Sequence, residues 1–188
     1  LYAQALAERR LTAASLVHDS PAQIATAAGL YIPQNYDRQF KGWVSVRTAL
    51  AASLNVPAVR TLVMVSPDAF FQQLRALGLP LRESGGYFGY SLALGSSEVD
   101  LLHLTNAFRA LANGGLACPV RWQLPSVMPA RTPAARPTAA AGDCTQALDA
   151  RAAFIVGDIL ADPLARARTF GTDSVLTTRF WTAVKTGT

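Results

Sequence analysis

The chain has 188 residues, 51% of them hydrophobic and 15% charged, which excludes wholesale disorder and supplies enough apolar material for one packed domain or two lobes of one. Lys and Arg total 17 against 12 Asp and Glu, a net charge of +5. The basic residues are scattered, with Arg9-Arg10 the one adjacent pair, so they outline no nucleic-acid surface. The longest apolar stretch, 48–65, is broken by Asn55, Pro57 and Arg60, so it spans no membrane.

Residues 1–10 read as the tail of a helix, with Leu1, Ala5 and Leu6 on one side and charge at its end. Beginning at Leu1 inside a helix, with no signal peptide, and stopping at Lys185-Thr186-Gly187-Thr188, the sequence reads as a piece of something longer. Residues 11–43 show turn chemistry rather than period: Asp19-Ser20-Pro21, Ala28-Gly29, Ile32-Pro33, Asn35-Tyr36-Asp37 and Lys41-Gly42. Four aromatics, Tyr31, Tyr36, Phe40 and Trp43, mark this as an ordered loop region and not a linker. A helix is expected from Val44 to Ala52, broken at Ser53-Leu54-Asn55. Pro57 then fits the first turn of a second helix that runs to about Val65. Ser66-Pro67-Asp68 starts a third, with Phe70, Phe71, Leu74 and Leu77 on one face and Gly78 at its end.

Residues 83–97 read as a Gly/Ser/Tyr-rich loop; Gly85-Gly86-Tyr87-Phe88-Gly89 lacks the Lys-Ser/Thr of a phosphate loop. Ser97, with Asp100 at the capping-box position, is expected to start a helix whose apolar face is Leu101, Leu104, Phe108 and Leu111, stopped by Asn113-Gly114-Gly115. Residues 120–124 read as strand-like and 121–143 as a variable Pro/Ala-rich loop. Asp149 caps a helix to about Leu160, and Arg179 to Lys185 reads as a strand carrying Phe180, Trp181 and Val184. Six helices against two or three late strands give an α+β class with a largely helical lobe.

Cys118 and Cys144 fit no metal spacing. They are either a disulfide formed in an oxidising compartment or two small buried hydrophobes. His103, among leucines, reads as packed or half exposed.

Two short motifs carry chemistry when taken together. Ser53-Leu54-Asn55 sits at a helix break, and Lys185-Thr186-Gly187-Thr188 ends an apolar segment about 130 residues later. This pair, with Ser-x-x-Lys, belongs to penicillin-binding proteins and the related β-lactamases. A serine acyl-enzyme needs a nucleophile, a base and groups that hold a peptide carboxylate and amide. The Ser53 hydroxyl can pass a proton toward a leaving amine, and the Asn55 amide can bond a substrate amide or a catalytic lysine. Lys185 offers positive charge to a terminal carboxylate. Thr186 and Thr188 offer it hydroxyls. Gly187 has no side chain, so a substrate strand can lie along that edge.

Longer phrases extend the likeness. Tyr31-Ile-Pro-Gln-Asn-Tyr-Asp-Arg-Gln-Phe40, then Gly42 and Val46–Val59, Tyr90-Ser-Leu-Ala-Leu-Gly95, Glu98-Val99, Leu111-Ala-Asn-Gly-Gly115 and Phe180–Thr188 resemble the transpeptidase domain of bifunctional class A penicillin-binding proteins. The wording is closest to the type 1C members and weakest from Arg121 to Asp143. The resemblance implies a penicillin-binding, serine β-lactamase-like fold, here mostly its helical lobe with part of the antiparallel sheet. It implies cross-linking of peptidoglycan stem peptides by a serine that attacks a D-Ala-D-Ala bond and is acylated by β-lactams. No metal or organic cofactor is implied. The implied partners are stem peptides, β-lactams and other cell-wall synthesis proteins, but no nucleic acid, and the implied location is the periplasmic face of the inner membrane through an N-terminal anchor outside this sequence. One departure matters: three positions before Lys41 and Lys185 stand Arg38 and Thr182, so this chain has no Ser-x-x-Lys. In the family that motif falls just before a segment like Leu1–Leu6. The whole of 1–188 is therefore expected to be a partial transpeptidase domain that begins just after the nucleophile and is inactive alone. A β-lactamase or penicillin-sensing domain of the same fold, and a non-enzymatic basic module or scaffold, are the competing readings.

Overall fold

The computed structural model of the chain describes residues 1–27, 29–121 and 143–187. The order is α1 (Tyr2–Ala7), β1 (Leu16–Asp19), β2 (Ile24–Thr26), β3 (Gly29–Tyr31), β4 (Gly42–Ser45), α2 (Val46–Ala51), α3 (Asn55–Val65), α4 (Pro67–Ala76) and α5 (Gly85–Phe88). A 3₁₀ turn (Gly89–Leu94), α6 (Leu101–Ala112), β5 (Leu116–Ala117), β6 (Thr145–Gln146), α7 (Ala150–Ala161) and α8 (Pro163–Phe170) complete it. The strands form three two-stranded antiparallel ladders, β1–β4, β2–β3 and β5–β6. The class is α+β, and helices carry most of the core.

Local chemistry sets most helix ends. Ser45 caps α2 by accepting from the Thr48 N–H at 3.2 Å, so the expected helix start at Val44 moves to Val46 and Val44 joins β4. Ser66 caps α4 with Pro67 in the first turn. Asp100, not Ser97, caps α6: its carboxylate accepts from the His103 N–H at 2.9 Å. It also bonds His103 Nδ1 at 2.6 Å, which leaves that ring half exposed on the surface. Asp149 and Asp162 cap α7 and α8 in the same way.

The four short strands of residues 16–45 replace the expected loop. Each has only three or four residues, too few for an alternating pattern to register. In β1–β4, Val17 faces Val44 and Asp19 faces Gly42, with Val17, Val44 and Asp19 buried. Residue 28, in the expected Ala28-Gly29 turn, lies outside the described residues, as do 122–142, which hold most of the expected strand at 120–124 and of the Pro/Ala-rich loop.

Two apolar clusters share α1. Tyr2 and Ala3 join Val46 and Leu50 of α2, Leu148, and Val156, Ile159 and Leu160 of α7. Ala5 joins Leu62, Val65, Phe70, Phe71, Leu79 and Leu92 around α3 and α4. Leu62 and Ile159 are fully buried, each stabilising the fold by about 2 kcal/mol through lost apolar surface. α2 is also tied to the end of α7 by Arg47, which pairs with Asp158 and with Asp162 at 3.1 Å.

Two expectations for apolar faces change. The α6 face of Leu101, Leu104 and Phe108 is not closed over by a core: Leu101 is 78% exposed, whereas Leu104, Phe108 and Leu111 line an open cleft. Residues 179–185 pair with no other strand among the described residues, because the backbone bond anchoring them runs from the Val184 N–H to the Leu160 carbonyl of α7, at 3.0 Å. Phe180 and Trp181 are exposed. One helix, α8, follows an Asp162-Pro163 start that matches the cap-and-proline pattern.

Cys118 and Cys144 are disulfide-bonded directly beyond the Ala117–Thr145 end of the β5–β6 ladder. Gly114 and Gly115 turn the chain from α6 into that ladder with φ of +65° and +87°. A Cβ on Gly115 would lie 2.2 Å from the Leu148 carbonyl oxygen, while one on Gly114 meets only the Ala150 methyl at 4.0 Å. Gly115→Ala is therefore expected to lower stability by about 2 kcal/mol or more, and Gly114→Ala by about 1 kcal/mol, the cost of its backbone conformation alone. Urea unfolding of the two variants checks this, and equal losses would contradict it.

Candidate active site

The turn between α2 and α3 carries the first motif. After Ala52, the Ser53 N–H donates to the Leu50 carbonyl at 3.2 Å and the Leu54 N–H to the Ala49 carbonyl at 3.0 Å. This is the Schellman pattern, in which the residue after the cap adopts a left-handed backbone and is usually glycine. Here that residue is Ser53, with φ +58°. A side chain in this conformation costs about 1 kcal/mol, and the turn carries the Ser53 hydroxyl off the end of α2 to the wall of the cleft.

The next helix lacks its own cap. Leu54 occupies the cap position and has no side chain to accept a bond. The acceptor comes from 20 residues away: Asn35 Oδ1 accepts from the Asn55 N–H at 2.9 Å and from the Val56 N–H at 3.3 Å. The Asn55 side chain turns the same way, and its Nδ2 donates to the Gln34 carbonyl at 2.9 Å. Asn35 is held in turn by Asp19. Asn35 Nδ2 lies 2.9 and 2.8 Å from the two Asp19 carboxylate oxygens and 2.8 Å from the Gln39 carbonyl. The Lys41 N–H donates to Asp19 Oδ2 at 2.8 Å. Asp19 is fully buried, and Asn35 and Asn55 nearly so.

Across the cleft, Lys185 Nζ donates to Ser53 Oγ at 2.6 Å and to the Thr186 carbonyl at 2.7 Å. Partial burial of this ammonium holds its pKa below the ordinary lysine value. The Lys185 segment is fastened through Leu160, whose carbonyl accepts both the Val184 N–H and, at 3.1 Å, Nη1 of the buried Arg166. One cleft of about 520 Å³ has Ser53, Asn55, Lys185, Thr186 and Gly187 on its wall. The start of α1, from Leu1 to Ala3, and apolar residues of α2, α4, α6, α7 and the 3₁₀ turn also line it. Thr188 lies outside the described residues. Among the described residues no group of three or more His, Cys, Asp or Glu side chains could hold a metal ion, and no helix is long and apolar enough to cross a membrane.

The arrangement brings a hydroxyl, an amide and an ammonium to one open, mostly apolar surface. Two of its supports, Asp19 and Asn35, had no role in the sequence reading. Asn35 lies in the 31–40 stretch and Asp19 in the Asp19-Ser20-Pro21 turn sequence. Neither is signalled locally: Asn55 is itself a capping residue type, so the start of this helix reads from sequence as capped from within.

No family model matches the chain. Penicillin-binding protein 1C of Escherichia coli K12 is 38% identical over 124 residues, which is 65% of this chain and 16% of that protein. Penicillin-binding protein 1A of Neisseria lactamica is 27% identical over 167 residues, 86% of this chain and 21% of that protein. The curated homologues are class A penicillin-binding proteins. The chain spans about a fifth or less of their length. The crystal structure of penicillin-binding protein 3 from Mycobacterium tuberculosis, complexed with aztreonam, superposes with a TM-score of 0.61 and 18% identity, covering 87% of this chain and 40% of that one. The fold is accordingly that of the penicillin-binding transpeptidases.

Within this penicillin-binding fold the strained backbone at Ser53 gives a direct test. Ser53→Gly is expected to raise the stability of the chain by up to about 1 kcal/mol, since glycine adopts φ +58° without strain. Chemical denaturation measures it, and a loss of more than about 1 kcal/mol would show that the Ser53 hydroxyl contributes more to folding than its backbone costs.

Proposed function

We propose that this chain is the part of a peptidoglycan D,D-transpeptidase that lines the donor site, in a protein that cross-links stem peptides through a serine acyl-enzyme and is acylated by β-lactams at the same serine. The observation that carries the reading is the direct Lys185–Ser53 hydrogen bond on a cleft that also holds Asn55, Thr186 and Gly187. The resemblance of the chain to class A penicillin-binding proteins, and the name those homologues bear, support it.

The proposed chemistry is as follows. The nucleophilic serine and its lysine come from a Ser-x-x-Lys segment preceding α1, whose first residues line the cleft. The serine oxygen attacks the carbonyl carbon between the two D-alanines and its proton passes to the lysine. As the C–N bond breaks, the Ser53 hydroxyl relays a proton to the departing amine, so the terminal D-alanine leaves neutral at nitrogen and an ester remains. The Asn55 amide bonds the substrate amide or the catalytic lysine. Lys185 and the Thr186 and Thr188 hydroxyls hold the terminal carboxylate of the donor, and Gly187 leaves room for the peptide backbone. The amine of a neighbouring stem then attacks the ester and releases the serine. A β-lactam presents its own carboxylate and strained amide to the same groups. The parent protein works at the periplasmic face of the inner membrane.

Two outcomes test this. The 188-residue chain by itself, which contains no Ser-x-x-Lys, forms no covalent adduct with a fluorescent penicillin on a denaturing gel; a stable acyl adduct mapped to any of its residues overturns the assignment of the nucleophile. In the complete protein, Lys185→Ala loses roughly 30- to 1,000-fold in acylation rate, about 2–4 kcal/mol of transition-state stabilisation, as for other electrostatic donors. An unchanged rate removes Lys185 from the site.

A further inference from the structure

We propose that Asp19 and Asn35 are positioning residues for this reaction, acting as a buried relay that sets the Asn55 amide in the cleft. The proposal rests on the transpeptidase reading above and adds to it a function for the Tyr31–Phe40 phrase.

Removing an acidic side chain entirely from water is costly unless its oxygens are bonded, and Asp19 is buried without remainder. Its oxygens accept from Asn35 Nδ2 and from the Lys41 N–H. If the sole need were to cap α3, a serine or aspartate at position 54 would do it locally. Position 54 is instead a leucine, 4% exposed and clustered with Val44, Ala49 and Ala52. The cap is drawn from Asn35, so the start of α3 is located against the 31–41 loop rather than against α2. The bonds are also directional. Asp19 accepts only, so it orients Asn35 with Nδ2 inward and Oδ1 toward the two backbone N–H groups of Asn55 and Val56. The neighbouring Gln34 carbonyl takes Asn55 Nδ2. That bond uses one of the two Nδ2 hydrogens and fixes the plane of the Asn55 amide, leaving Oδ1 and the second N–H for the cleft. Asn55 can thereby accept from a lysine ammonium through Oδ1 and donate to a substrate amide carbonyl through Nδ2, and the relay fixes which way each points. A misplacement of about 1 Å at a group so placed can cost about 100-fold in rate.

The test uses the complete protein and a fluorescent penicillin, with the acylation rate constant measured well below each variant's thermal midpoint. Asn35→Ala is expected to slow acylation about 10- to 100-fold and Asn55→Ala at least as much. The double variant should be no slower than Asn55→Ala within about twofold, since Asn35 acts through Asn55. Asp19→Asn, which keeps the shape and alters the acceptor, should slow acylation in the same non-additive way and serves if Asn35→Ala does not fold. Phe71→Leu, in the core away from the cleft lining, supplies a variant of lowered thermal midpoint that should acylate at the unaltered rate. Losses that multiply in the double variant, or an equal slowing by Phe71→Leu, would overturn the relay. So would a normal rate in Asn35→Ala beside a slow Asn55→Ala, an outcome that leaves the site itself standing. A normal rate in Asn55→Ala would instead withdraw the site, and the relay with it.

Discussion

A dry carboxylate governs the geometry of this chain. Asp19 has no solvent to satisfy it, so everything within reach has to present a hydrogen. The Asn35 amide and the Lys41 N–H do so. With its donor end committed, Asn35 has only an oxygen left to give, and that oxygen takes the free N–H groups at the start of α3. A buried polar network of this kind tolerates few alternative arrangements, because each one leaves an unpaired group in a low-dielectric interior. The position of the α2–α3 junction follows from it.

The opposite bank of the cleft is held differently. Residues 179–187 have no ladder among the described residues, and their register comes from one carbonyl, that of Leu160, shared between Val184 and the buried guanidinium of Arg166. The two banks meet at the Lys185–Ser53 bond. Between them the α6 face of Leu104, Phe108 and Leu111 supplies an apolar wall. A ligand seated against such a wall displaces water from it, which strengthens each charge and dipole set around the ligand. The disulfide between Cys118 and Cys144 closes the β5–β6 end of α6, the helix that carries this wall.

What could be read in the sequence was the chemistry that local spacing carries. Ser53, Asn55 and Lys185 are distinguishable because their motifs are short and contiguous, and the starts of α4 and α7 because Ser66-Pro67 and Asp149 are capping sequences. The start of α6 lies at Asp100 and not at the expected Ser97, because Ser97 and Asp100 are both capping residue types and it is the Asp100 side chain that reaches the third N–H of the helix. Strands of two to four residues left no period to detect. The expected strand at 179–185 has the right residues, yet strands exist by pairing, and pairing is not a property of one segment. The leucines of α6 read as core because an apolar stripe looks the same whether it faces a packed neighbour or an open cleft. Asp19 and Asn35 were hidden for a related reason: each is an ordinary turn residue until a partner 16 positions away is brought beside it.

Both banks of the cleft have to grip one ligand for the proposed acylation to run. A crystal structure of the complete protein acylated by a penicillin decides this most directly. It is expected to show the β-lactam carboxylate within hydrogen-bond reach of Lys185 and Thr186, and its side-chain amide hydrogen-bonded to the Asn55 amide, in a single cleft. A penicillin bound covalently at a serine whose surroundings exclude Asn55 and Lys185 would contradict it.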